Sequence, residues 1–249
     1  MRNRPGEHAR KRIRGAWRNA AAGNLRALSV VALVALTFCT AEMFLPSPLW
    51  WRSYLLGFMT AAILGIAIWA LDMLSGARNL SLGVMGEQAT AKAVLGRRRR
   101  QEGWRLVNGL YFAGHGDVDH VLVGPGGIFV LESKWTTVSW ELSKVGVTGS
   151  PGRDPVAQAR EGAHKVERML RHGRDRFDVE VHPALVIWGP GAPVIEGGWT
   201  EIAGVSVFEG RQKEKWLSRL ERSPLSESLV DSLARTLEAD LDLRVDRRP

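Results

Sequence analysis

The stretch GDVDHVLVGPGGIFVLESKW, Gly116 to Trp135, reads as two apolar strands around a Pro-Gly turn, yet it carries Asp117, Asp119, Glu132 and Lys134 where strands bury carbon. Whether the loop is Pro125-Gly126 or the four residues from Gly124 to Gly127, the register of the hairpin is the same. Asp119 then faces Glu132, Asp117 faces Lys134, Val121 faces Val130 and Val123 faces Ile128. Directly opposed side chains have Cβ atoms about 4.5–5.5 Å apart, so the two carboxylates converge. Their face is apolar toward the turn, and the other face carries Val118, Leu122, Phe129 and Leu131. Both sides are therefore expected to be covered, as in the middle of a layered sheet. His120 falls on the face opposite Asp119 and reads as a core histidine.

Two like charges at the rim of a core repel, and desolvation makes this worse. One carboxyl must hold a proton, or a cation must sit between the two. Oxygen donors of this kind suit Mg²⁺ or Mn²⁺, which keep several waters and use one or two carboxylates. The Ser133 carbonyl adds a further oxygen. Lys134 lies two residues past Glu132 on the same face, about 6–7 Å further along the strand. An ammonium there could hold an attacking water and offset charge building on phosphorus. The plainer alternative is a solvated face on which Asp117 and Lys134 form an ordinary cross-strand ion pair.

Outward from the hairpin, Val84 to Leu95 has helical spacing with Glu87 in its first turn, and RRRRQEG breaks it before a strand at Trp104 to Phe112. After the hairpin come a short strand at Val138 to Leu142, a glycine-rich loop, and a helix from Pro155 to His172. That helix has Asp154 as N-cap, Pro155 at the first position and Gln158 one turn in. Strands at Val179 to Gly189 and Gly204 to Phe208 follow, then two helices, the last with Leu225, Leu229, Leu233, Leu237 and Leu241 at four-residue steps. The order gives an α/β domain with a mixed central sheet flanked by helices.

The blocks GEQATAKAVL, GDVDHVLVGPGGIFVLESKW and DPVAQAREGAHKV resemble the nuclease-related domain (NERD) family, within the PD-(D/E)xK restriction-endonuclease-like superfamily, over roughly Gly83 to Trp188. The resemblance implies that Asp119 opens the second core strand as a metal ligand and that Glu132 and Lys134 are the E-x-K of the third. It implies that Glu87 contacts metal directly or through water, and that Gln158 orients the lysine or the scissile phosphate. Asp117 is the adjacent acid and second choice. The implied activity is divalent-metal-dependent phosphodiester hydrolysis, of DNA or of RNA. The alternative is an inactive domain of the same shape that binds nucleic acid or a protein partner.

Leu25 to Leu45 and Tyr54 to Leu74 are each about the 20 residues that cross a hydrocarbon core. The connector PSPLWWRS, with Pro46, Pro48, Trp50 and Trp51, reads as a tight hairpin at an aromatic belt. Basic flanks at Arg10 to Arg18 and at Arg78, Lys92 and Arg97 to Arg100 put both ends in the cytoplasm, so the chain is expected in the inner (plasma) membrane as a multi-pass protein. The formal charge of +8 belongs to the tail: eight Lys and Arg against one acid precede Ala27, and 25 against 23 follow from Ser75. Bulk charge is thus no evidence that the folded domain binds polyanions, and the tail reads as a topology signal in contact with anionic lipid. The single Cys39 excludes a disulfide within the chain.

The expected organisation is a basic tail (1–26), a transmembrane hairpin (27–74), a linker (75–82), a nuclease-like domain (83–222) and a C-terminal amphipathic helix and tail (223–249). The leucine stripe is expected to cover the domain or to make a homodimer contact.

Overall fold

The structure, a computed structural model, describes residues 7–24, 29–30, 32–34, 36–37, 40, 44, 48–75, 77–100, 103–112, 116–150, 152–173, 175–220 and 223–245. Residues 9–81 and 82–249 fall into separate compact units.

In the first unit, α1 spans Glu7–Gly23 and α2 spans Leu49–Ser75. Within α2, residues 53–70 form a segment long and apolar enough to cross a membrane, with no part of it buried in the protein. Phe58, Leu64, Ile66, Ile68 and Trp69 are all more than half exposed, so no single side of the helix is the apolar one. A helix apolar all round needs an apolar surrounding. The first span expected, Leu25 to Leu45, lies for the most part outside the described residues, so among those residues there is one candidate membrane helix. Of the expected connector, the part from Leu49 to Ser53 is helical: α2 begins directly after Pro48 and takes Trp50 and Trp51 into its first turn.

In the second unit, α3 (Ala77–Arg100) leads into a six-stranded sheet. Its strands are β1 (Arg105–Phe112), β2 (Gly116–Gly124), β3 (Gly127–Trp135), β6 (Val181–Trp188), β7 (Trp199–Ile202) and β8 (Val205–Glu209). The two-residue strands β4 (Glu141–Leu142) and β5 (Val147–Thr148) form a separate small hairpin, where a longer strand from Val138 was expected. The sheet order is β1-β2-β3-β6-β8-β7. β1, β2 and β3 form an antiparallel meander, whereas β3 and β6 run parallel, joined through α4 (Pro155–His172). A parallel pair needs such a crossover, and the crossover helix covers one face. Asp154 starts α4 as expected: its carboxylate accepts the Val156 N–H at 3.1 Å.

One face of the sheet packs on α3 and the short α5 (Lys213–Leu217), through Ala91, Val94, Leu122, Leu131, Ala184 and Trp216. The other packs on α4 and α6 (Glu227–Val245), through Val121, Val130, Val166, Leu170, Leu233 and Leu237. The leucine stripe is thus in part a layer of the core. Two expected breaks are absent from α3: residues 77–82 are helical rather than a linker, and Arg97 to Arg100 continue the helix. Neither segment holds proline, and arginine and leucine are strong helix formers.

The hairpin register is as expected from His120 opposite Leu131 through Gly124 opposite Gly127, around a Pro125-Gly126 turn. Beyond His120 the strands part, and strict alternation fails with them. Leu106 and Leu122 pack toward α3, yet Leu110, Phe112 and Val118 pack toward α4 and α6. The facing of β1 inverts at Gly109, which adopts φ of 66°. Such a conformation favours glycine. Asp119 sits at the same level on β2, between Val118 and His120, and Val118 consequently joins the face opposite to the one alternation assigns.

Candidate active site

Where β2 leaves β3, the Asp119 side chain takes the place of a backbone partner: its Oδ2 accepts the Ser133 N–H at 2.8 Å. Glu132 and Lys134 follow on β3, and the Lys134 ammonium stands 2.6 Å from Glu132 Oε1. Glu87 reaches the same place from α3, close enough for its charge to act on both Asp119 and Lys134. Four of the expected residues, Glu87, Asp119, Glu132 and Lys134, therefore meet at one end of the sheet.

Burial, then the Glu132 and Glu87 carboxylates, hold the Asp119 carboxyl well above the usual carboxylate range, against the opposing pull of Lys134 and the Ser133 N–H. Burial works to lower the Lys134 ammonium, but Glu132, Asp119 and Glu87 outweigh it and push it up. The charge that the hairpin carries is thus offset in two ways: Lys134 supplies the cation beside Glu132, and Asp119 is biased toward its protonated form.

A stability prediction follows from the Asp119 shift. Its folded value lies above its unfolded value, so below the ordinary carboxylate range both states are protonated and no penalty exists. The penalty grows as pH rises from there and becomes constant above the folded value. Asp119→Asn keeps an oxygen for the Ser133 N–H and removes the charge. It is expected to melt at least about 2 °C above the wild type at pH 7, roughly what 1 kcal/mol produces in a protein of this size. The difference should vanish near pH 3. Thermal melts of the full chain at the two pH values check this; equal melting at both contradicts it.

Other expected residues stand elsewhere. Asp117 is exposed and lies opposite Tyr111 on β1. The expected Asp117 pairing with Lys134 is lost because the β2–β3 ladder ends at His120, and Lys134 takes Glu132 instead. Gln158 donates from Nε2 to the Arg153 carbonyl at 3.1 Å, a local bond at the foot of α4 rather than one to Lys134. Ser133 contributes its N–H to Asp119, and its carbonyl leaves β3 on that same side.

Sequence reasoning missed the supports behind these groups. Thr90, fully buried, accepts hydrogen bonds from Ser133 Oγ–H and Trp188 Nε1–H, both at 2.8 Å. His120 lies 2.8 Å from Asn108 Oδ1 through Nδ1. Burial lowers it to about 4, although the Glu87 backbone beside the ring favours the charged form, so it is neutral at ordinary pH. No spacing rule flags a lone threonine on a helix. Its position between Glu87 and the third strand emerges only when the helix is docked.

A cavity of about 340 Å³ opens at the other end of β6, lined by Glu180, His182, Ser206 and Ser223 among others. Ser223 Oγ and His182 Nε2 are 3.0 Å apart there, and the Ser223 N–H donates to the Gly126 carbonyl. These bonds tie the segment before α6 to the β2–β3 turn.

The donor set at the acidic end suits a hard divalent ion. It consists of carboxylate oxygens, and the Asp119 carboxyl is held up first by burial and then by the Glu132 and Glu87 carboxylates, which such an ion would offset. Mg²⁺ needs only one or two carboxylates, and Asp119 and Glu132 provide two. A cage of three is not formed: among the described residues no three His, Cys, Asp or Glu side chains are grouped closely enough to hold an ion.

No curated protein and no solved structure matches this chain. The second unit nonetheless carries a family signature that spans α3 to β6, the elements that bring Glu87, Asp119, Glu132 and Lys134 together. Residues 82–188 match the model of the nuclease-related domain (NERD) family.

Proposed function

We propose that the chain is a membrane-anchored, divalent-metal-dependent nuclease with a restriction-endonuclease-like catalytic domain, hydrolysing phosphodiester bonds of DNA or RNA at the cytoplasmic face of the membrane. The observation that carries this reading is the convergence of Asp119, Glu132 and Lys134 at the ends of adjacent strands, with Glu87 facing them. Asp119 and Glu132 would hold Mg²⁺ or Mn²⁺, with Glu87 and the Ser133 carbonyl as further oxygens. When bound, the ion supplies Lewis-acid polarisation of a phosphoryl oxygen and a more acidic water. Lys134, whose ammonium is pushed up by its acidic neighbours, Glu132 first, against the effect of burial, is suited to hold a water by hydrogen bonding and to offset negative charge developing on phosphorus. The apolar helix 53–70 supports anchoring, and the basic residues of the tail support a cytoplasmic orientation.

The test is direct. The full chain in detergent, given labelled duplex DNA, single-stranded DNA and RNA, should cleave at least one with Mg²⁺ and none after EDTA. Intact substrates under both conditions count against hydrolysis.

Two observations favour a second reading, a nuclease-fold module that binds nucleic acid or a protein without cutting. Lys134 already pairs with Glu132, and among the described residues no three-carboxylate cage is formed. Calorimetric titration with Mn²⁺ separates the two, since the enzyme must bind the ion and the module need not.

A further inference from the structure

Helix α3 approaches β3 unusually closely just where the sheet carries its chemistry. Gly86 lies over the Lys134–Trp135 peptide, and a Cβ added there would stand 3.3 Å from the Lys134 carbonyl carbon and the Trp135 nitrogen. That is tighter than ordinary van der Waals contact, so the bare Cα lets the helix rest on the strand backbone. Thr90 is one turn on, at i+4 from Gly86, and so on the same side of the helix. Glu87 follows Gly86 directly and therefore stands about 100° round the axis, at the border of the contact rather than under it.

Thr90 binds this interface with one atom. Its Oγ1 receives the Ser133 hydroxyl from β3 and the Trp188 indole N–H from β6, each at 2.8 Å, in a fully buried position. Ser133 in turn gives its backbone N–H to Asp119 Oδ2. One hydroxyl thus sits three residues from Glu87 along the helix and one residue from the Asp119 anchor across the strands.

We propose that Thr90 is a positioning residue for the acidic site. Through Ser133 and Trp188 it fixes the helix that carries Glu87, and the peptide that anchors Asp119, to one point of the sheet. This rests on the reading of Asp119 and Glu132 as carboxylates that hold a divalent ion. Partners behind the ligands of a metal site commonly change its affinity by about 10–100-fold when removed. Valine matches threonine in shape but accepts no hydrogen bond, so Thr90→Val leaves two buried donors unanswered.

The experiment is a calorimetric Mn²⁺ titration of the full chain in detergent, well below its melting temperature, for the wild type, Thr90→Val and Thr90→Ser. The expected result is an affinity loss of about 10-fold or more in Thr90→Val, with Thr90→Ser within about 3-fold of the wild type. A threonine that merely fills the core would lower the melting temperature of Thr90→Val and leave the affinity of the folded fraction unchanged, and that result overturns the proposal. Should Thr90→Val fail to fold, Ser133→Ala and Trp188→Phe each remove one donor and leave the hydroxyl. Unchanged Mn²⁺ affinity in both then overturns it as well. A wild type that takes up no Mn²⁺ is a different failure, one that removes the metal reading itself and the positioning role with it.

Discussion

Glu132→Gln should lower Mg²⁺-dependent cleavage by about 10²–10³-fold while the domain stays folded, because the substitution keeps the shape and hydrogen-bonding reach of the side chain and removes only its charge. Two effects combine in that loss. A neutral amide is a poor ligand for a hard divalent ion, so one of the two adjacent carboxylate positions is gone. Glu132 is also the partner of the Lys134 ammonium, at 2.6 Å, so its neutralisation frees Lys134 to move toward Asp119 and away from the position the proposed mechanism needs. The fold is expected to survive: Glu132 is one of the charges that raise Asp119, and losing it relaxes that repulsion. Initial cleavage rates at matched folded concentration measure the effect, with the exposed Glu141→Gln as a control expected to be unaffected. Cleavage by Glu132→Gln within about 3-fold of the wild type would remove Glu132 from the machinery.

Lys134→Met should be the most damaging single change to stability in the site. Lys134 and Glu132 are 29% and 13% exposed, and the ammonium faces Glu132, Asp119 and Glu87 together. Removing one member of a mostly buried ion pair leaves the other charge without compensation, at a cost of about 3–5 kcal/mol when burial is complete. Partial exposure places the expectation near the lower end, about 3 kcal/mol, which corresponds to roughly 6–12 °C in Tm for a protein of this size. The deficit should depend on pH in a definite direction. Lys134 opposes the upward shift of Asp119, so without it the folded-state value of Asp119 rises further above the unfolded one. The part of the deficit that runs through Asp119 therefore grows as pH rises and shrinks as pH falls toward the ordinary carboxylate range. Melting curves at pH 7 and pH 4.5 test this, and Lys134→Met/Glu132→Gln should recover part of the loss. A Lys134→Met chain that melts like the wild type at both pH values would show that the pair contributes nothing.

The central hairpin was legible because its information is local. A Pro-Gly turn fixes the register on either side, which placed Val121 opposite Val130 and Val123 opposite Ile128 correctly. The start of α4 was equally plain, since an Asp-Pro pair satisfies and pre-shapes a helix N-terminus by itself. Asp117 was misplaced for the opposite reason. Extending the ladder past His120 assumes that two strands stay paired, but their parting at Asp119 depends on a side chain taking over a backbone hydrogen bond. The inversion at Gly109 belongs to the same event, and its only trace in sequence is a glycine among many.

By itself, then, the sequence determined the α/β class, the paired turn, the apolar helix 53–70 and the identity of the charged residues Glu87, Asp119, Glu132 and Lys134. These follow from periodicity, turn chemistry and composition, all of which act over a few residues. Tertiary structure alone decided that Lys134 would pair with Glu132 rather than Asp117, that Gln158 would bond within its own helix start, and that Thr90 would join α3 to β3 and β6. Each of those outcomes depends on how a helix docks or where two strands separate, and buried polar groups must then take whichever partner the packed geometry leaves within reach.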